Sequence, residues 1–483
     1  MSHQAAAKDA FHTLVKLWAK WQGRTTLSGD HPIPITRGPG GEPSPQSFWH
    51  DRPIIKGPAN LQSFWHVANS LEAALHYAEV AESDSQELEE FSYMVRTAFL
   101  TFEQGFDKMA QYPATYWWDD IGHWGNVALY VNDFIRKRKQ SLPSKLMFPT
   151  EEDCIQNAAK AWAVMKAYAW DHITWTNPPP EGGCYNHTDG VQNEVTNGVY
   201  LLLSTGLYST LLLEPSYLCC VQNATGSFFT KVYPKHNHPI PEKVQPVTFL
   251  KAACDEYNWW QGLSWMKNGK GGVGDLINGL PIDGANTFVP TGAQTIWPAA
   301  LMNLTRLTVI GYPYTVTNLP VDVLKKTAGN VLLAACARLF SQTYQRKEPQ
   351  ELGVLCDAPF ATALNGDPID LASQKGVFLR CLRFLDSDQR AQFNTQIGAT
   401  AKAVSSRLHE LTFEKLGIIP VQWVCPGDYE IFSDSWKNIW GPGAYATKWE
   451  PDLTYLADKI NWHVTTQGSG LSALATAIRF ADE

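Results

Sequence analysis

Tyr116-Trp117-Trp118-Asp119-Asp120-Ile121-Gly122-His123-Trp124 sets two adjacent carboxylates inside an aromatic run and opens an apolar stretch, residues 121–135, with helical spacing. Burying charge beside apolar rings costs several kcal/mol unless the pair finds partners or shares a proton, so the combination points to function. A helix beginning here would stabilise at least one carboxylate through its free N–H groups. The plainer alternative is an Asp cap followed by a second, exposed Asp.

Outward from this segment the helical period dominates. Phe11, Leu14, Val15 and Trp18 form one apolar stripe. Val67, Leu71, Ala74, Leu75 and Ala78 form a second, and Phe91, Val95, Ala98 and Phe102 a third. Ala158, Ala161, Val164, Met165 and Tyr168 predict another helix, and residues 321–340 another again. Residues 199–213, the most apolar stretch, are broken by Ser, Thr and Gly and too short to span a bilayer comfortably, so they read as a buried helix. Gly- and Pro-rich loops cover 29–58, 176–183, 234–246 and 269–290, and none resembles an interdomain linker. Gln-Ser-Phe-Trp-His occurs at 46–50 and 62–66, which is too little for a repeat. Helices joined by long loops with no break predict one all-α domain, residues 1–483, of hairpins closed into a toroid whose loops build the active face.

The 19 Trp, 18 Tyr and 21 Phe exceed ordinary usage and serve either a large core or a carbohydrate site, since Trp and Tyr stack on sugar rings. A net charge of −8 argues against nucleic acid as a partner. The basic run at 136–139 reads as a solvated helix end. Nine cysteines without a C-x-x-C pair suit buried thiols rather than a zinc site or disulfide framework, and no cofactor or metal is expected. His236-Asn237-His238 reads as a polar loop, and Gly271-Gly272-Val273-Gly274 lacks the Lys-Ser/Thr of a phosphate loop. No secretory signal or membrane anchor is visible, so the chain reads as cytoplasmic unless a signal was removed; only then would Asn186, Asn223 and Asn303 be glycosylation acceptors.

Two carboxylates in one cleft suit glycoside hydrolysis, where one protonates the leaving oxygen and the other acts as nucleophile or base. At these residues the chain resembles glycoside hydrolase family 76, the endo-α-1,6-mannanases, as a divergent member of fungal type. Trp118-Asp119-Asp120 with Trp124 matches the family's adjacent catalytic pair. Phe64-Trp65-His66-Val67-Ala68-Asn69 resembles its early aromatic-x-x-x-Asn helix, and Glu181-Gly182-Gly183-Cys184-Tyr185 with Asn193 and Asn197 its Gly-Gly segment and Asn-bearing helix. Gln374-Lys375-Gly376-Val377-Phe378-Leu379-Arg380 is similar to its Phe-Lys-Gly-Ile-Phe-x-Arg stretch. Trp440-Gly441-Pro442 and Gln467-Gly468-Ser469-Gly470-Leu471 resemble a Trp-x-Gly-Pro turn and a Gln-x-Ser-x-Leu helix start.

The resemblance implies an (α/α)6 toroid of the six-hairpin glycosidase type and a retaining mechanism, with Asp119 as nucleophile and Asp120 as acid/base. It implies substrate contacts from Trp65, Asn69, Trp118, Trp124, Tyr185, Asn193, Asn197, Asp275, Lys375 and Trp440. Core packing is the competing role for Trp117, Trp118 and Trp124, and His123 either tunes Asp120 or is an ordinary satisfied histidine.

Three departures stand out. The family's Trp-Thr-Tyr-Asn-Gln-Gly is replaced around Asn286 to Gln294, its Lys by Gln192, and its Trp by Tyr185. A carbohydrate substrate remains the first expectation. The alternatives are transglycosylation or acid-catalysed cyclisation or isomerisation of a small metabolite on the same fold, and sugar binding without turnover.

Overall fold

The computed structural model describes residues 2–21, 64–81, 85–111, 117–143, 146, 148–175, 182–187, 192, 194–262, 292–309, 321–339, 355, 368–391, 393–407 and 460–480. Among them are fourteen α-helices and no strand; Tyr185 and Gln192 meet in an isolated antiparallel bridge. In chain order the helices are α1 (His3–Trp21), α2 (Phe64–Val80), α3 (Ser85–Gln111), α4 (Trp118–Arg138), α5 (Glu151–Val164), α6 (Glu194–Leu213), α7 (Leu218–Val232) and α8 (Pro246–Gly262). Then follow α9 (Ala293–Val309), α10 (Val321–Leu339), α11 (Pro368–Cys381), α12 (Ser387–Ala391), α13 (Asn394–Arg407) and α14 (Ile460–Phe480). Loops 29–58 and 269–290 lie outside the described residues.

The chain divides into two compact units. The first comprises residues 1–101, 283–292 and 336–483. Here α14 packs against α1, α2, α11 and α13. The sequence supports this central position, because Leu471, Ala473, Leu474, Ala475 and Ala477 present small and branched apolar groups, all buried. Phe11, Leu14, Val15 and Trp18 of α1 are all buried, as the spacing predicts. Two polar groups drawn in with them are paired: Trp18 Nε1 donates to Thr97 Oγ1 at 3.1 Å, and Tyr77 Oη to Glu87 at 2.7 Å.

The second unit comprises residues 102–282 and 293–335. Here α4 packs on α5 and α6, and α6 on α8 and α9. A capping box starts α5: Thr150 Oγ1 accepts from Asp153 N–H at 3.1 Å, and the Asp153 carboxylate accepts from Thr150 N–H at 2.9 Å. The helix then widens into one π turn, Met165–Trp170. Residues 199–213 lie within α6, which is buried along most of its length. Arg136, Lys137 and Arg138 occupy the last turn of α4, where cations oppose the negative helix end.

Trp118, Trp124, Trp162 and Trp297 are fully buried, so part of the aromatic excess is core. Trp260 and Trp297 stack at 4.5 Å, and Trp162 Nε1 donates to Ser204 Oγ at 2.9 Å. Of the six cysteines whose side chains are described, five are buried and Cys219 is exposed. No helix among the described residues is long and apolar enough to cross a membrane.

Candidate active site

The Asp pair sits in the first turn of α4. Trp117, with extended backbone, is the residue that precedes the helix and caps it without a side-chain hydrogen bond, so neither Asp is the cap. Instead Asp119 and Asp120 lie among the N–H groups that a helix leaves unpaired at its start. The entry is fixed from outside: Trp118 N–H donates to the carbonyl of Asn186 at 2.8 Å.

Both aspartates are partly open to solvent. Asp119 Oδ1 is closed off and has no hydrogen-bond partner. Burial pushes the Asp119 carboxyl up to about 6, against the pull of the backbone N–H groups of residues 119 and 120. It therefore changes charge near neutral pH rather than in the usual carboxylate range.

The rings around the pair divide by environment. Trp118 is buried and stacks on Tyr168 at 5.1 Å and 17°. Trp124 is buried and stacks on Phe102 at 5.1 Å. Trp117 is 44% exposed and leans on His187 at 5.1 Å, so among the described rings of this run it is the one that offers a face outward. His123 is buried.

The Gly-Gly segment is brought to the same place. Gly182 and Gly183 take φ of +73° and +81°, which a side chain rarely tolerates. A Cβ on Gly183 would stand 2.3 Å from the Trp259 ring, so glycine is required there for close approach as well. Beyond them Asn197 grips the Cys184 peptide: its Oδ1 accepts from Cys184 N–H at 2.5 Å and its Nδ2 donates to the Cys184 carbonyl at 2.9 Å. Gln192 donates from Nε2 to the Gly182 carbonyl. Tyr185 packs edge-on against His172 at 4.9 Å and against Trp175 at 4.7 Å. Thus Trp118, the Asp pair, Tyr185 and Asn197 share one framework within the second unit.

Sequence reasoning missed Glu194, the first residue of α6. It is only 5% exposed, and its Oε2 has no hydrogen-bond partner. Burial, with the charge of Asp119 adding to it, pushes its carboxyl up to about 8. An acidic residue opening the most apolar helix is the signal that could have found it.

In the first unit the structure brings together three stretches far apart in sequence. Asn69 donates from Nδ2 to the Trp65 carbonyl at 2.9 Å, and its Oδ1 accepts from Arg380. Arg380 also donates to Ser472 Oγ at 2.9 Å and pairs with Glu72 at 3.1 Å. A Cβ on Gly376 would lie 2.9 Å from the Ser469 Cα, so α11 and α14 touch backbone to backbone there. Trp65 and Lys375 are buried in this unit. Asn193, Asp275, Trp440 and most of the remodelled 286–294 segment lie outside the described residues. No group of three or more His, Cys, Asp or Glu among the described residues is arranged to hold a metal ion.

Comparison with solved structures places this geometry in a known fold. Neither a family model nor a curated protein matches the sequence. The α-1,6-mannanase GH76A of Salegentibacter sp. HEL1_6 matches at 13% identity and a TM-score of 0.51, over 98% of this chain and 99% of that one. An inactive variant of it with two consecutive aspartates changed to asparagine, bound to α-1,6-mannotriose, matches at 13% and 0.50 over the same shares. A second inactive variant, with both changed to alanine and α-1,6-mannotetrose bound, matches at 12% and 0.51. The likeness shows the fold, the all-α toroid class that the sequence predicts.

Proposed function

We propose that this chain is a retaining glycoside hydrolase of the family 76 type acting on α-1,6-mannosidic linkages. The supporting observation is the Asp pair. Asp119-Asp120 is the sole place in 483 residues where two aspartates are consecutive, and it falls in the first turn of a helix in a fold shared with a mannanase. That enzyme's inactive variants lack two consecutive aspartates.

In this reading Asp119, ionised above about pH 6, attacks the anomeric carbon and forms the glycosyl-enzyme bond. Asp120 gives its proton to the departing oxygen, then takes one from the water that attacks the intermediate. The free N–H groups of the α4 start steady the carboxylate charge between these steps. Trp117 offers a sugar-facing ring beside the pair, and Tyr185, Asn193 and Asn197 form or support the adjoining wall, with Trp118 and Trp124 behind it. Trp65, Asn69, Asp275, Lys375 and Trp440 are assigned substrate contact on the family resemblance, which treats residues 1–483 as one catalytic domain.

The test is cleavage of α-1,6-mannan by the wild type, Asp119→Asn and Asp120→Asn. We expect cleavage by the wild type, none measurable for Asp119→Asn, and a loss of about 10²–10⁴-fold for Asp120→Asn. Cleavage that survives in Asp119→Asn, or is absent from all three, refutes the reading.

A further inference from the structure

Helices α4 and α6 run parallel. A Cβ on Gly122 would lie 2.6 Å from Val199, one on Gly125 2.7 Å from Leu203, and one on Gly206 2.7 Å from Leu129, so the pairs ascend together along both helices. Asn126 Nδ2 adds a hydrogen bond to the Val199 carbonyl at 3.2 Å. Followed back one turn, that register sets the start of α4, with Asp119 and Asp120, beside the start of α6, which opens with Glu194. Trp297 Nε1 donates to the Glu194 carbonyl at 2.8 Å and fixes the α6 start. Two positive helix ends and three carboxyl groups therefore meet at one place. The Glu194 side chain is more than nine-tenths buried, and its Oε2 has no protein partner.

We propose that Glu194 is a positioning residue of this site: a proton-bearing carboxyl that faces ionised Asp119 and keeps a second negative charge out of the cleft. The proposal rests on the reading of Asp119 as the working carboxylate. The order of ionisation supports it. Asp119 loses its proton first, near 6, while Glu194 is still neutral; Glu194 must then ionise against the Asp119 charge and holds on until about 8. Between these values the pair carries one proton, held by Glu194.

The other titratable groups around them are Asp120 and His123 on α4, Tyr168 against Trp118, Cys184, Tyr185 and His187 on the Gly-Gly segment, and Glu256 and Tyr257 on α8. Burial raises Tyr168 and Cys184, so these stay neutral across the same range, and it pushes the Glu256 carboxyl well above the usual carboxylate range.

The experiment is infrared titration of the full chain, following the carbonyl band of protonated carboxyl groups, in the wild type, Glu194→Gln and Asp119→Asn. We expect a wild-type component that persists above pH 7, vanishes near 8, and is missing from Glu194→Gln; Glu256 is common to both and subtracts. In Asp119→Asn the same component should vanish at lower pH, because the opposing charge is gone. The alkaline fall of the wild-type pH-rate profile on α-1,6-mannotetraose should move to higher pH in Glu194→Gln. A spectrum unchanged by Glu194→Gln, a midpoint unmoved by Asp119→Asn, or an alkaline fall unmoved by Glu194→Gln overturns the proposal. If no variant cleaves the sugar at any pH, the hydrolase reading fails, and the two spectral outcomes still decide the coupling. The Asp119→Asn arm stands even if Glu194→Gln fails to fold.

Discussion

Asn197 holds both hydrogen-bonding groups of the Cys184 peptide at once, accepting from its N–H at 2.5 Å and donating to its carbonyl at 2.9 Å. A side-chain amide thereby does for the Gly-Gly segment what a neighbouring strand would do, and ties it to the first two turns of α6. Asn197→Ala leaves two buried peptide groups unpaired, so we expect a loss of about 2–4 kcal/mol in chemical denaturation. A loss under about 1 kcal/mol would show that the segment is held elsewhere.

Gly183 is required twice over, by its φ of +81° and by the Trp259 ring. Gly183→Ala should cost about 2 kcal/mol or more. Adding Trp259→Ala removes the clash and leaves the backbone strain, so the double variant should recover part of the loss. Full recovery would place the whole cost in sterics.

Asp119 titrates above its ordinary value, which sets the sign of its effect on stability. The unfolded chain loses this proton first, so between the ordinary Asp range and about pH 6 the folded state holds an extra proton. The stability this provides is present at low pH and is lost as the pH rises through about 6. Asp119→Asn stays neutral. Its thermal midpoint should match the wild type at pH 3 to 4, roughly the ordinary Asp range, and exceed it above pH 6. A variant less stable than the wild type at pH 8 would contradict this.

Arg380 is fully buried, pairs with Glu72 at 3.1 Å and donates to Asn69 and Ser472. Arg380→Ala strands a buried carboxylate, a change that costs about 3–5 kcal/mol in similar settings. Arg383 still bonds Glu72 at 3.1 Å, so we expect the lower end of that range in chemical denaturation. A near-zero change would mean that Arg383 alone neutralises Glu72.

The helices were legible because an apolar stripe at helical spacing needs only local geometry and one buried face, as in Phe11, Leu14, Val15 and Trp18. The π turn at Met165–Trp170 was not, since Met165 and Tyr168 continue the same apolar stripe. The Asp pair stood out because adjacent charges among tryptophans are chemically costly. Glu194 did not, because a Glu at a helix start is ordinary; only the parallel packing of α4 and α6 makes it a neighbour of Asp119. For Asn69 the family resemblance implies a substrate contact, and the structure shows its amide engaged by Trp65 and Arg380.

The stereochemistry of a single cleavage probes the central claim most directly. Proton NMR of α-1,6-mannotetraose mixed with the full-length protein reports the anomer released before mutarotation. A double displacement through Asp119 releases the α-anomer first. Initial release of the β-anomer would mean direct attack by water and would remove Asp119 from the role of nucleophile.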